Sequence, residues 1–177
     1  MPLLLIGVRQ NRWLKQAAQP WLDRGDVPAD PVVDLRVSEN QLSVWEVLPD
    51  KSNLKRVVRA LAIGKDEIQP NGWVLFDSGL LAAAGIKPPV QKAGTTRDEG
   101  ANPWHRDLVD LSGLTLVALT KTILTNGESG QLLKKELVGL VSAGIDANEL
   151  REDQLPEKIR KQVEQHRAIA APAKSRS

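Results

Sequence analysis

The chain has 177 residues, with 24 Lys or Arg, 22 Asp or Glu, two His, no Cys and no Tyr. The absence of Cys excludes disulfides, a thiol nucleophile, a Cys-ligated zinc and an iron–sulfur cluster. The composition, 41% hydrophobic and 26% charged, is typical of a globular protein. A chain of this length buries about 70% of its unfolded surface, so we expect one domain with its own core.

The formal net charge is +2, and the excess of positive charge lies at the C-terminus. Residues 151–177 hold seven basic and four acidic residues, whereas residues 1–150 hold 17 basic and 18 acidic ones. Because nucleic-acid affinity grows with the number of phosphate contacts, a neutral body predicts no strong general affinity for nucleic acid. The candidate contacts for a protein partner or for nucleic acid are the basic residues near the C-terminus: Lys158, Arg160, Lys161 and Arg167.

No apolar run approaches the roughly 20 residues that a membrane-spanning helix needs. The run at residues 3–8 is also shorter than the apolar core of a signal peptide, and its positive charges follow it instead of preceding it. We therefore expect a cytoplasmic protein that does not enter a membrane.

The first predicted elements are a buried strand and a helix. Residues 3–8 form a short continuous apolar run, which is typical of a buried strand. Residues 11–22 space apolar side chains at helical intervals, and a proline predicts that this helix ends or kinks near Gln19. Residues 42–48 then favour a strand, which is expected to pair with residues 34–37 in a short hairpin.

The clearest helix of the chain begins after Ser52 and ends at Gly64. Its apolar residues follow the i, i+3, i+4, i+7 pattern of an amphipathic helix: Leu54, Val57, Val58 and Leu61. Three basic residues fall on the opposite face: Lys55, Arg56 and Arg59. A solvated helix face explains these charges, and a phosphate-binding role is the alternative.

A second buried strand is predicted at residues 73–77. The order of strand, amphipathic helix and strand matches a right-handed crossover, which would make the strands at 42–48 and 73–77 parallel. An antiparallel arrangement stays open, because a helix can also cross a sheet whose strands pair through others. The predicted fold class is therefore α/β or α+β, with a small mixed sheet of three to four strands in the N-terminal half and a helical C-terminal half.

Residues 87–101 form a long polar segment without helical or strand periodicity, and loops of this length are usually functional or disordered. Asn102 and a proline after it have the form of a helix start, which predicts a helix from Trp104 to about Thr125. A turn is expected at residues 126–130, before a further helix.

The C-terminal part carries a capping box at residues 146–149 and a last helix with a narrow apolar stripe. From Ala168 onward the composition cannot form a core. We therefore predict a single α/β domain at residues 1–150, a peripheral basic helix at 151–167 and a disordered tail at 168–177.

Known catalytic and cofactor motifs are missing from the sequence. It contains no phosphate-binding Gly-x-x-x-x-Gly-Lys-Ser/Thr, no dinucleotide-binding Gly-x-Gly-x-x-Gly, no His-Glu-x-x-His and no Gly-x-Ser-x-Gly. We therefore expect no cofactor and no metal site.

His105 is the residue on which a catalytic hypothesis rests. At the start of the predicted helix it could act as a general acid or base, with Asp98, Glu99 or Asp107 setting its pKa and Asp77 as a further catalytic candidate. Arg97 and Arg106 nearby could hold a phosphate or carboxylate. The alternative is that His105 is a surface residue with no chemical role.

Three functions from different classes follow. The first is a non-catalytic cytoplasmic binding or regulatory subunit that docks onto a larger protein partner, favoured by the missing catalytic motifs. The second is a small enzyme acting on a phosphorylated or nucleic-acid substrate, with residues 87–101 as a lid and His105 as the proton-transfer residue. The third is a weak nucleic-acid binder that uses its basic C-terminal tail.

Overall fold

The computed structural model describes residues 1–170 and is built around one sheet of six strands. The strands are β1 (Leu3–Val8), β2 (Leu42–Val47), β3 (Asn71–Asp77), β4 (Val90–Gln91), β5 (His105–Leu108) and β6 (Glu128–Leu132). Their order is β4-β5-β2-β1-β3-β6, and every neighbouring pair is antiparallel. Six α-helices cover its faces: α1 (Lys15–Leu22), α2 (Ala29–Asp34), α3 (Leu54–Ile63), α4 (Gly113–Asn126), α5 (Lys134–Asp146) and α6 (Glu157–Ala170).

The strand β1 lies inside the sheet, between β2 and β3. Leu4 and Ile6 belong to the core on one face, and Leu5 belongs to the core on the other. In the register of the sheet, Leu5 lies opposite Trp45 of β2 and opposite Leu75 of β3. A strand covered on both faces needs apolar side chains at consecutive positions, so the apolar run correctly predicts a buried strand.

The strands β2 and β3 run in the same direction, because each pairs antiparallel with β1 between them. The predicted mixed sheet of three to four strands in the N-terminal half is wrong in its number of strands and in their position along the chain. The sheet has six antiparallel strands, and β4, β5 and β6 come from the C-terminal half. The insertion of β1 between β2 and β3 is a long-range pairing that local periodicity does not encode.

Two hydrophobic cores lie on opposite faces of the sheet. The first is formed with α1, α2 and α4, and its large buried side chains are Trp13, Phe76, Leu119 and Ile123. The second is formed with α3, α5 and α6, and its large buried side chains are Val57, Ile63, Leu137 and Ile159. The architecture is thus three-layered, with helices on both faces of an antiparallel sheet.

The hairpin predicted between residues 34–37 and 42–48 does not form. Asp34 ends α2, and an isolated bridge between Ser38 and Gln41 closes the turn before β2. β2 instead pairs with β1 and β5. The predicted helix end near Gln19 is also wrong, since α1 passes through the following proline to Leu22.

The helix predicted from Trp104 to about Thr125 is in fact a strand followed by a shorter helix. β5 pairs with the edge of β2, which buries Leu108 completely. Asp110 has a φ of 58°, which breaks any helix there. α4 begins after Ser112, whose hydroxyl accepts from the Thr115 backbone N–H at 3.2 Å. The apolar residues of this segment are spaced as in a helix, although its first part is a strand of the sheet.

The turn predicted at residues 126–130 also differs, because β6 begins at Glu128 and pairs with β3. Its sequence, Glu-Ser-Gly-Gln-Leu, lacks the β-branched and aromatic residues that favour strands. Gly130 lies opposite Trp73, whose ring covers the glycine. The aromatic ring of the neighbouring strand therefore stabilises a segment with little strand propensity of its own.

The last helix, α6, buries Ile159 and Val163 completely in the second core. It extends to Ala170, past the predicted start of the tail at residue 168. The rest of the predicted disordered tail, residues 171–177, lies outside the described residues. No helix within residues 1–170 combines the length and the apolar character needed to cross a membrane.

Candidate functional site

His105 is held by structural contacts on β5. Its Nδ1 lies 3.2 Å from the Lys92 carbonyl oxygen, and its Nε2 lies 3.7 Å from Oδ1 of Asp107. The imidazole meets the Trp45 ring edge to face, with 5.0 Å between the ring centroids. Three cavities stand out in the described residues, and His105 lines none of them.

Two of the carboxylates expected to assist His105, Asp77 and Asp98, serve other purposes. Asp77 accepts from the Gly79 backbone N–H at 2.7 Å and caps the short turn after β3. Asp98 is fully buried against two guanidinium groups on α3. Within residues 1–170, neither carboxylate forms a hydrogen bond or an ion pair with His105. The structure thus does not bring Asp77 and Asp98 to His105, whereas the third expected carboxylate, Asp107, lies beside it.

The arginines proposed to bind an anion are also occupied. Arg97 donates to the Ile63 carbonyl oxygen at 2.6 Å. Arg106 pairs with Oε2 of Glu46 at 2.7 Å and donates to the Pro103 carbonyl oxygen. Both guanidinium groups therefore tie loop and strand segments to the body of the protein, and they do not converge on a free anion site.

The predicted basic contacts lie on α6. Arg167 donates to the Ser142 hydroxyl at 3.0 Å and pairs with Asp146, and Lys161 pairs with Glu157. The other two candidates, Lys158 and Arg160, are exposed and form no ion pair within residues 1–170. Their role as contacts for a partner or for nucleic acid stays a prediction.

Two of the three basic residues on the predicted solvated face of α3, Arg56 and Arg59, are ion-paired instead. The Arg59 side chain is 7% exposed and donates to Oδ2 of Asp98 at 2.7 Å and to Oε2 of Glu149 at 2.7 Å. Arg56 donates to the other oxygen of Asp98 at 3.1 Å. The hydrogen bond from Arg59 lowers the pKa of Glu149. This cluster fastens the loop at residues 87–101 to α3, which disfavours the lid predicted from its composition.

The largest of the three cavities has a volume of about 810 Å³ and lies where the end of β1 meets the start of β3 and the end of β6. We call it the basic cavity. Three of its lining residues are cationic, four carry amides and the others are apolar or glycine: Arg9, Arg36, Lys65, Asn11, Gln69, Asn71, Gln131, Gly7, Val8, Leu14, Leu61, Pro70 and Gly72. No carboxylate is among the described residues that line the cavity.

The three cations of the basic cavity are exposed at its surface and have no counter-charge within residues 1–170. Across residues 1–170, the side chains of Arg9, Arg36 and Lys65 make no ion pair and no hydrogen bond to the protein. Burial, followed by repulsion from Arg36, lowers the pKa of Lys65. An anion in the cavity would neutralise this concentration of positive charge.

A buried amide in the wall of the basic cavity also lacks a partner. Asn71 is 6% exposed, and its Nδ2 atom has no hydrogen-bond acceptor in the described residues. Leaving a buried donor unsatisfied costs about 1–3 kcal/mol, so such groups are rare in the absence of a binding role.

The backbone that carries Arg9 is fixed by a buried acid. Asp34, 4% exposed, accepts from the Arg9 backbone N–H at 2.6 Å and from the Trp13 indole N–H at 3.0 Å. Arg36 follows Asp34 by two residues at the end of α2. One buried carboxylate therefore sets the position of the segments that bear two of the three cations.

Sequence reasoning missed every residue of the basic cavity, because its members come from separate segments and share no motif. Arg9 directly follows an apolar strand, which is the one local signal, since ligands often bind beyond strand ends. The fold and the site define an antiparallel α/β/α protein with a basic cavity at one end of its sheet. Comparison of the chain with family models, curated proteins and solved structures finds no match.

The described residues show no group of three or more His, Cys, Asp or Glu side chains that could hold a metal ion. The basic cavity would repel a metal cation, because its charged lining residues are all positive.

Proposed function

We propose that this protein is a non-catalytic binding protein and that the basic cavity holds an anionic ligand. One observation carries the proposal: Arg9, Arg36 and Lys65 line one cavity, and no carboxylate is among its described lining residues. Unneutralised charge of one sign costs stability, and such a cost is typical of functional sites, where the ligand supplies the missing charge.

The residues that line the basic cavity favour a binding function over a catalytic one. Proton transfer usually relies on an imidazole or a carboxylate, and neither is among the residues that line the basic cavity. His105 is absent from the cavity and is engaged by Lys92 and Trp45. These observations disfavour the enzyme with His105 as general acid or base.

The regulatory role, the cytoplasmic location and the docking onto a larger protein stay predictions from the sequence. Lys158 and Arg160 on α6 are the exposed cations that a protein partner or nucleic acid would meet. They belong to α6, whereas the basic cavity is formed by the β1, α2, α3, β3 and β6 segments, so the two roles can be tested separately.

Titration calorimetry of the full chain with pyrophosphate tests the proposal. We expect binding that weakens as salt concentration rises, because the contacts are ionic. Lys65→Met and Arg36→Met should each weaken binding by about tenfold, the size expected for one charge-assisted contact.

The matched control is Lys158→Met with Arg160→Met, which removes two exposed cations from α6 and should leave pyrophosphate affinity unchanged. Absence of pyrophosphate binding at millimolar concentration at low salt would refute the anion site. An equal loss in the control would also count against it, because the attraction would then come from net charge alone.

A further inference from the structure

We infer that the ligand of the basic cavity is a phosphorylated polyol, meaning a small molecule with a phosphate monoester and several hydroxyl groups. The inference rests on the proposed function, since it specifies the anion that the cavity holds. It follows from three properties of the cavity: its size, the number of its cations and the chemistry of its other lining residues.

The size of the cavity requires more than an inorganic ion. Its volume of about 810 Å³ falls in the range of roughly 300–1,000 Å³ that is typical of sites for organic ligands. A bare phosphate would leave most of that space to water. The ligand is thus expected to carry an organic part beside its anionic group.

The charge of the cavity fits a dianion. Arg9 and Arg36 offer planar guanidinium donors that suit the oxygens of a phosphate, and Lys65 adds a point charge. A phosphate monoester carries a charge of about −1.5 to −2 at pH 7. Three cations therefore match a phosphate monoester better than they match a single carboxylate.

The uncharged lining residues favour hydroxyl groups over an aromatic base. Four of them are amides, and each amide offers both a donor and an acceptor to a hydroxyl: Asn11, Gln69, Asn71 and Gln131. Three of these amides, those of Asn11, Gln69 and Gln131, belong to exposed side chains that a ligand can reach. No aromatic side chain is among the described lining residues, whereas nucleotide bases usually stack on such rings.

Calorimetry of the full chain with four probes tests the inference: glucose 6-phosphate, inorganic phosphate, glucose and AMP. We expect glucose 6-phosphate to bind at least about tenfold more tightly than phosphate and AMP, and glucose alone to show no binding. The double variant Gln69→Leu with Gln131→Leu should weaken glucose 6-phosphate by about tenfold and leave phosphate affinity unchanged.

The matched control is Gln165→Leu, an exposed position on α6. It should change neither affinity. Asn71→Leu provides a second test of the amide wall, with its fold checked by circular dichroism. If Asn71→Leu does not fold, the exposed Gln131→Leu variant alone still distinguishes hydroxyl recognition from charge attraction.

The phosphorylated polyol could also be the headgroup of a lipid. Sedimentation with phosphatidylcholine vesicles that contain phosphatidylinositol 4-phosphate distinguishes this source from a free sugar phosphate. Vesicle binding that disappears in Lys65→Met and persists in the Lys158→Met, Arg160→Met control would support the same ligand chemistry on a membrane surface.

The possible failures are distinguishable. Equal affinity for phosphate and glucose 6-phosphate, or tighter binding of AMP, would overturn the polyol inference and leave the anion site intact. Failure of pyrophosphate to bind at millimolar concentration and low salt would overturn both the inference and the proposed function.

Discussion

Asp98 and Arg59 form a buried, doubly hydrogen-bonded ion pair, with Nε and Nη2 of the arginine 3.0 and 2.7 Å from the same carboxylate oxygen. The Asp98 side chain is completely buried and the Arg59 side chain is 7% exposed. The pair joins the long loop at residues 87–101 to α3. The loop that was predicted to act as a lid is therefore attached to α3 through Asp98, its most deeply buried acid.

Removal of one partner of this pair should destabilise the protein strongly. Asp98→Ala is expected to lower the free energy of unfolding by about 3 kcal/mol, because Arg59 would keep its buried charge with only the partly exposed Glu149 as a counter-ion. Urea denaturation followed by tryptophan fluorescence measures the change. The double variant Asp98→Leu with Arg59→Met should cost less than Asp98→Ala; a larger cost would contradict the unpaired-charge explanation.

The stability of the protein should fall in acid through Asp107. Burial raises the pKa of this carboxyl group, but hydrogen bonds from Lys92 and Ser43 outweigh the effect of burial and bring the pKa below 3.8. The unfolded chain thus binds the proton more readily, so the contribution of Asp107 is complete above pH 3.8 and is lost as the pH falls through the folded-state pKa.

Urea midpoints measured between pH 6 and pH 2 test this dependence. Asp107→Asn should show a shallower decline than the wild type in that window. Asp66→Asn, an exposed acid without an ion pair in the described residues, is the control and should follow the wild-type curve. Identical curves for Asp107→Asn and the wild type would exclude Asp107 as the source.

His105→Ala should affect stability and leave ligand binding intact. The substitution removes the contact with the Trp45 ring and the hydrogen bond at the Lys92 carbonyl, at a cost of about 1 kcal/mol. Pyrophosphate affinity should stay within error of the wild type, because His105 does not line the basic cavity. Weaker pyrophosphate binding at unchanged stability would instead support a functional role for His105.

Lys65→Met should stabilise the protein in the absence of ligand. The folded-state pKa of Lys65 is lowered, so the unfolded chain binds more protons between that pKa and 10.5, and this residue makes stability rise with pH through that interval. The variant removes a partly desolvated charge and its repulsion from Arg36, and we expect its Tm at pH 7 to rise by about 1–2 °C, a small effect because the side chain is exposed.

Lys158→Met is the matched control for this prediction, because it removes an exposed cation outside the basic cavity. Its Tm should stay close to that of the wild type. A fall in the Tm of Lys65→Met would show that the lysine is a structural residue.

Gly130→Val should destabilise the edge of the sheet by about 1–3 kcal/mol. A β-carbon at Gly130 would overlap the ring of Trp73, which lies opposite it in the register of β3 and β6. Gly113→Ala is the control, since a β-carbon there meets no atom within 4 Å. Equal stability of Gly130→Val and the control by thermal denaturation would show that the Trp73 ring does not pack against Gly130.

The parts of the fold that local sequence predicts are those with strong, continuous apolar patterns. β1, β2, β3 and α3 lie close to their predicted positions, because each buries residues at the spacing of its own secondary structure. β5 and β6 were missed because their stability comes from pairing with β2 and β3 and not from their own residues.

The sequence by itself determined the two-sided burial of β1 and the absence of thiol chemistry, since both depend only on which residues are present and on their local order. Only the tertiary structure decided where charge is neutralised. Arg59 and Asp98 lie 39 positions apart and pair in the interior, whereas Arg9, Arg36 and Lys65 line one cavity whose described residues include no carboxylate. Electrostatic energy depends on distance in space and on burial, and neither follows from net charge or from spacing along the chain.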